Sequence, residues 1–309
     1  MTLLLPMGIA IAFQQQQRLP RGGGLVSLGE VLSTCIDAAM IGCEEIRSVH
    51  EKGFAARTKE AGNPRSAVTE ADVAAQAAIV GALRSEWPGL LIIGEEEVED
   101  RPVVLGLRRD IVEEATEVGL EELTIYVDPL DGTREFVEGR LENVQCLVGV
   151  ARGGRAVAGA AGVAFEDRVV YAVRDAGAVG LVRRGDQKSV FVAGDGGEGS
   201  VASGREAAVE LGLGVRDPVG GTGAKLLMVA EGEAALAMTH TKTMAWDTCA
   251  LEAVLVAAGG RVTDYYGADL RYAGASRNDL GVVASAPGFA AAHDGLCRHL
   301  RGDAAVPSF

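Results

Sequence analysis

Leu123-Thr-Ile-Tyr-Val-Asp128-Pro-Leu-Asp131-Gly-Thr133 is the stretch that decides how this chain is read. Its first five residues are apolar or β-branched, as a buried strand requires. Asp-Pro-Leu-Asp-Gly then reads as a turn, because proline donates nothing to a ladder and glycine punctuates the chain. A turn across Pro129 sends the carboxylates of Asp128 and Asp131, with the Leu130 carbonyl, into one space rather than to opposite faces of a strand. Converging oxygen donors suit a hard cation such as magnesium, which shares its octahedral shell with water and phosphate.

Upstream, Leu90 to Ile93 reads as a short buried strand that delivers Glu95, Glu96 and Glu97 to its end. Thr69 is placed to cap a helix that stops before Pro88, and apolar positions from Leu25 to His50 recur at helical spacing. Residues 100–122 read as an acidic, solvated connection with some helix. Downstream, Thr133 opens a short helical piece. Val144 to Val150, Ala156 to Val163 and Val169 to Val173 then read as consecutive strands of one sheet, with Val179 to Val182 and Val190 to Val192 as weaker continuations. Asp195 to Gly199 is the linker candidate.

Beyond it, helices are expected at Arg205 to Leu211, Lys225 to Glu231 and Asp247 to Ala258. Strands are expected around Ala234 to Met238, Arg261 to Asp264 and Gly281 to Ala284. The expected organisation is a leader over 1–24, an α+β half over 25–193 and an α/β half over 194–309, the two halves packed on each other. Asp247, at the start of a helix in the second half, closes the oxygen site from across a cleft, and Glu95 adds a carboxylate from a separate strand.

The composition narrows the partners. With 43 acidic against 29 basic side chains the formal charge is -14, so the molecule repels nucleic-acid polymers. A small phosphorylated substrate stays possible where carboxylate-held cations invert the local sign. Five widely spaced cysteines without a C-x-x-C pair fit a reducing compartment. Leu3 to Phe13 is too short to span a bilayer, so no membrane association is expected. Residues 1–24 read either as a flexible leader or as an organelle-targeting segment, which leaves the location as cytoplasm or organelle. The state is read as monomer or homodimer.

Each acid alone has an ordinary explanation. A Glu95-Glu96-Glu97 run fits a solvated edge, Asp131 a turn, Asp247 a helix start, and Asp72 a capping box with Thr69. Taken together and in order, Ile93-Gly-Glu-Glu, Val127-Asp-Pro-Leu-Asp-Gly-Thr and Trp246-Asp-Thr-Cys-Ala resemble the three signature motifs of the lithium-sensitive inositol monophosphatase superfamily. The longer run through Thr133-Arg-Glu-Phe-Val-Glu-Gly139, with Asn143-Val-Gln downstream, is most similar to the 3'(2'),5'-bisphosphate nucleotidase branch.

That resemblance implies a layered αβαβα sugar-phosphatase fold and a magnesium-dependent phosphomonoesterase with two or three ions, inhibited by lithium. It implies metal ligation by Glu95, Asp128, the Leu130 carbonyl, Asp131, Asp247 and Asp72, and catalytic roles for Asp72, Thr133 and Glu95. Thr133, paired with Asp72, orients and deprotonates the attacking water. Gly132 lets the backbone approach the phosphate, and the N–H groups that follow it begin a helix, where an anion is favoured.

For the substrate, the resemblance implies contacts from Gly132, Thr133, Ser203, Thr222, Lys225 and Asp247, with Lys225 offering a point charge to a second phosphate. The expected substrate is adenosine 3',5'-bisphosphate, with 3'-phosphoadenosine 5'-phosphosulfate as a second. An inositol phosphate is the alternative substrate, and an inactive metabolite-binding protein the non-enzymatic one. Where the branch carries a threonine and a histidine near adenine, this chain has Ala202-Ser-Gly-Arg205. The four histidines, His50, His240, His293 and His299, lie outside the matched motifs and are expected to be ordinary surface or core residues.

Overall fold

The computed structural model describes residues 24–55, 57–58, 67–97, 107–113, 116–183, 188–195, 199–216, 218–239, 242–274 and 277–303. The leader, His240, most of the linker candidate and parts of the acidic connection lie outside the described residues. Seven helices appear among the described residues: α1 Leu28–Lys52, α2 Glu70–Glu86, α3 Thr133–Val137, α4 Ser200–Glu210, α5 Thr222–Ala230, α6 Ala245–Ala257 and α7 Ala290–Asp303.

The first sheet has six strands in plain sequence order: β1 Leu91–Gly94, β2 Leu123–Asp131, β3 Gln145–Arg152, β4 Arg155–Val163, β5 Arg168–Val173 and β6 Gly177–Val179. All neighbours are antiparallel except β1, which lies parallel to β2 at the edge. The second sheet contains β7 Val190–Ala193, β8 Gly214–Val215, β9 Leu236–Thr239, β10 Arg261–Thr263 and β11 Val282–Ser285, in the order β8-β7-β9-β11-β10. It is mixed: β7 runs parallel to β8 and β9, while β11 is antiparallel to β9 and β10.

The layers follow from what each helix buries. One face of the first sheet is covered by α1 and α2, through Leu32, Ile36, Ile46, Ile79 and Leu83. The other face packs on α5 and α6, which lie between the two sheets and bury Leu226, Leu251 and Val254. Finally α4 and α7 cover the outer face of the second sheet, around Phe191, Leu236 and Leu296. The order is helix, sheet, helix, sheet, helix, the layered arrangement that the motifs imply. A buried polar network fixes α6 against the first sheet. Glu252 accepts from Arg174 at 2.9 Å and from Tyr272 at 2.6 Å, and the Tyr272 hydroxyl also reaches Thr248 at 3.2 Å.

Three expectations are corrected. Asp128 to Asp131 is not a turn: β2 continues through it with a register shift, so two residues on β2, Pro129 and Leu130, oppose one on β3, Cys146, between Asp128↔Leu147 and Asp131↔Gln145. A bulge of this kind re-aims side chains without ending the strand, which achieves what the turn was invoked for. Val190–Ala193 does not continue the first sheet but belongs to the second, paired in parallel with β9. The strand before Glu95 is an edge strand whose Leu91 is 55% exposed, not a buried one.

Candidate active site

The site lies where the carboxyl end of β2 meets the amino ends of α5 and α6. A cavity of about 540 Å³ opens there, lined by Glu95, Asp128, Leu130, Asp131, Asp247 and Thr133 among others. That size lies in the range of small-ligand pockets. Four of the expected acids, drawn from three distant stretches, therefore share one space.

Each acid is held by a local device. Asp128 sits just before the bulge, buried, and accepts the Leu130 N–H at 3.1 Å. Burial, and then the neighbouring carboxylates of Glu95, Asp131, Asp247 and Asp72, push its pKa well above the ordinary range. Asp131 accepts the N–H groups of Thr222 at 2.9 Å and Gly223 at 2.8 Å, the first turn of α5. Burial lifts its pKa to about 6, against the pull of Lys225 and those N–H groups. Asp247 is at the third position of α6 and accepts the Met244 N–H at 2.7 Å, so the helix-start explanation holds as well as its place at the cavity. Burial, and then Glu95, raise its pKa.

Asp72 has two faces. Its Oδ2 accepts the Thr69 N–H and hydroxyl, each at 2.7 Å, completing the capping box. Its Oδ1 accepts the Thr133 hydroxyl at 2.9 Å, while the Leu130 carbonyl lies 3.1 Å from the same hydroxyl. One carboxylate thus caps α2 and reaches the cavity wall. Burial raises its pKa to about 6, opposed by the bonds from Thr69 and Thr133. Gly132 makes the approach possible: its φ is 87°, and a Cβ there would sit 2.6 Å from the Asn143 carbonyl oxygen.

Among the described residues no three acidic, histidine or cysteine side chains close on a single point as a finished ligand set. Asp72, Asp131 and Asp247 each have oxygens turned onto N–H or O–H donors. The donor chemistry nevertheless fits a hard divalent cation. Every candidate ligand is an oxygen, the carboxylates are crowded and desolvated, and Gln145 Oε1, buried beside Gly223, has no hydrogen-bond partner among the described residues.

The substrate-side residues divide. Gly132, Thr133, Thr222, Lys225 and Asp247 line the cavity. Ser203 does not; Val201 lines it in its place, since residues two apart on α4 point to different sides. Arg205 donates to the Gly194 carbonyl at 3.1 Å. Lys225 is 4% exposed, and its ammonium donates to the carbonyls of Val219, at 3.1 Å, and Gly221, which makes it a strut for the glycine loop. Burial lowers its pKa. Arg134, Glu135, Arg140 and Asp195 also line the cavity and were not singled out in the sequence, although the spacing Arg134 to Glu138 is a helical ion-pair signal. His293 is a fully buried core residue, as expected, and all five cysteines are free and buried.

By its fold and its relatives this is a phosphoric monoester hydrolase. The chain belongs to the inositol monophosphatase family, whose profile matches residues 27–302. It is 32% identical over 227 residues to human 3'(2'),5'-bisphosphate nucleotidase 1, covering 66% of this chain and 73% of that protein. It is 30% identical over 288 residues to the Golgi-resident adenosine 3',5'-bisphosphate 3'-phosphatase of Callithrix jacchus, covering 85% and 78%. Among solved structures, the extragenic suppressor protein suhB from Bartonella henselae superposes with a TM-score of 0.67 at 21% identity, over 88% of this chain and 98% of that one. Among the described residues no helix is long and apolar enough to cross a membrane.

Proposed function

We propose that this chain removes the 3'-phosphate of adenosine 3',5'-bisphosphate, giving AMP, and acts in the same way on 3'-phosphoadenosine 5'-phosphosulfate, with magnesium as its cofactor. The observation that carries this reading is the shared cavity of Glu95, Asp128, Asp131 and Asp247, with Thr133 in its wall and Asp72 bonded to the Thr133 hydroxyl behind it. The names of the two nucleotidase relatives support the nucleotide over inositol phosphates.

Two or three cations would be held by Glu95, Asp128, the Leu130 carbonyl, Asp131 and Asp247, with Asp72 completing a further position. Bound there, they supply charge neutralisation and Lewis acidity for phosphoryl transfer. The chain's own residues do the rest. Thr133 donates its hydroxyl proton to Asp72, which leaves a lone pair of Oγ1 to accept a hydrogen bond from water and orient it. Asp72, whose Oδ1 holds the Thr133 hydroxyl at 2.9 Å, is placed to take the proton that the water gives up. The water oxygen attacks phosphorus in line as its proton passes through Thr133 to Asp72, the bond from phosphorus to the 3'-oxygen breaks, and that oxygen takes a proton from solvent water to become the hydroxyl of AMP. Gly132 keeps side-chain bulk away from the phosphate, and no covalent phosphoenzyme is needed.

The test is phosphate release by the purified protein with Mg²⁺, comparing adenosine 3',5'-bisphosphate, 3'-phosphoadenosine 5'-phosphosulfate and inositol phosphates at matched concentration. Turnover of the nucleotides, suppressed by lithium, is expected. Cleavage of inositol phosphates without the nucleotides would overturn the substrate assignment.

A further inference from the structure

Three cationic side chains line the cavity, and they are not equivalent. Lys225 is buried and turned onto the carbonyls of its own loop. Arg140 is held by both oxygens of Glu135, at 2.5 and 2.7 Å, and by Glu138 at 2.5 Å. Glu135 is itself locked: it is 4% exposed, and a Cβ on Gly220 would overlap its side chain. Lys225 can turn toward an incoming anion only by leaving buried carbonyls, and Arg140, although its side chain is 43% exposed, only by giving up three carboxylate contacts, two of them to a buried glutamate.

Arg134 differs. It follows Thr133 directly on α3, its side chain is 39% exposed, and it reaches across the cavity to Asp195, which leaves the end of β7 in the second sheet and is 47% exposed. Its Nε donates to Glu138 at 2.8 Å and its Nη1 to Asp195, while Nη2 forms no hydrogen bond to a described residue. Exposed ion pairs are weak and readily exchanged, whereas a guanidinium binds phosphate with two parallel N–H bonds. A phosphate that is not being hydrolysed therefore has a ready partner beside the reacting centre, provided that it displaces Asp195.

We propose that Arg134 is the residue that selects a substrate with a second phosphate, with Asp195 as the carboxylate that this phosphate replaces. The inference rests on the substrate reading above and reassigns the second-phosphate contact from Lys225 to Arg134. Asp195 sets the threshold: a substrate with one phosphate leaves the Arg134–Asp195 pair closed, and a bisphosphate opens it.

Adenosine 3',5'-bisphosphate and adenosine 3'-monophosphate present the same scissile ester and differ in the 5'-phosphate alone. The quantity to measure is the ratio of kcat/KM for the first over the second. Arg134→Gln is expected to lower this ratio at least tenfold, mainly through KM for the bisphosphate, and Arg134→Lys to lower it less. Asp195→Asn, which frees the guanidinium and removes a repelling charge, is expected to raise it. An unchanged ratio in Arg134→Gln, or equal losses on both substrates, overturns the role of Arg134 while leaving the nucleotidase reading intact. A wild-type enzyme that hydrolyses both nucleotides without preference likewise overturns the selection by Arg134 alone, whereas one that hydrolyses neither overturns the nucleotidase reading.

Discussion

Asp131 accepts the backbone N–H of Gly223 at 2.8 Å, so a carboxylate at the end of the first sheet caps a helix that packs against the second. The bond fixes both partners. It satisfies an N–H group that a helix start leaves open, and it holds an acidic oxygen against the pull of its neighbours. There is no room for a side chain on that glycine: a Cβ would sit 2.5 Å from Gln145 Oε1 and 2.8 Å from Asp131 Oδ2. Gly223→Ala is therefore expected to destabilise the fold by about 1–3 kcal/mol through overpacking, and to lower kcat by moving Asp131. Wild-type kcat and an unchanged denaturation midpoint in this variant would show that the contact is dispensable.

Thr133 and Asp72 make a sharper prediction because one atom separates the alternatives. Thr133→Ser keeps the hydroxyl 2.9 Å from Asp72, whereas Thr133→Val keeps the shape and removes the donor. The valine variant is expected to lose on the order of 10²–10⁴ in kcat, the usual weight of a positioned proton acceptor, and the serine variant to lose little. Circular dichroism should be alike for all three proteins. Equal activity of serine and valine variants would remove Thr133 from the proton path.

Asp128 is expected to be a liability to the fold in the absence of cations. Its folded pKa lies well above its unfolded one, because of burial and then Glu95, Asp131, Asp247 and Asp72. At neutral pH the ionised carboxylate then favours the unfolded chain. Asp128→Asn keeps an acceptor for the Leu130 N–H and removes the charge. In chelator the variant should melt higher than wild type, by roughly 2–4 °C for each kcal/mol recovered. In excess Mg²⁺ the order should reverse, since a cation that binds the folded state alone stabilises the wild type by mass action. A variant that melts no higher than wild type in chelator refutes the buried-repulsion account.

Much of this was legible in the sequence, and what was not has physical reasons. The capping of α2 by Thr69 and the convergence of Asp128 and Asp131 follow from short-range signals, cap chemistry and two aspartates three apart, whereas the layered fold was legible only through the resemblance of the three motifs to a known family. The bulge in β2 was read as a turn because its one-residue offset is defined by the pairing of Asp131 with Gln145, which lies on another strand. Val190–Ala193 looks like any valine-rich strand, and what places it in the second sheet is a partner some 45 residues further along the chain, beginning at Leu236. The C-terminal helix α7 was not anticipated, because its buried stripe is short, Leu296, Cys297 and Leu300, and is completed by a polar residue, His293. Lys225 was expected to be a free charge, and nothing in its local sequence announces that it turns back onto Val219 and Gly221.

The buried histidine offers a test of the core that is independent of the site. His293 is fully buried between β10, β11 and α7, with Nε2 2.8 Å from Thr263 Oγ1 and Nδ1 3.0 Å from Ser285 Oγ. Burial, and then the nearby charge of Arg261, lower its pKa from 6.5 to about 4, with Asp294 opposing. Between those values the unfolded chain holds a proton that the folded chain excludes, so stability is lost as pH falls from about 6.5 toward 4. Asp72 and Asp131, with folded pKa values of about 6, work in the opposite direction in the metal-free protein, which makes a single stability curve uninformative. Their contributions are common to wild type and to His293→Gln, and they cancel in the difference between the two. Glutamine does not titrate, so the stability gap between wild type and variant in denaturant should narrow by about 3 kcal/mol from pH 7 to pH 4. A gap that stays constant over that window would mean that His293 takes up its proton in the folded protein as readily as in water.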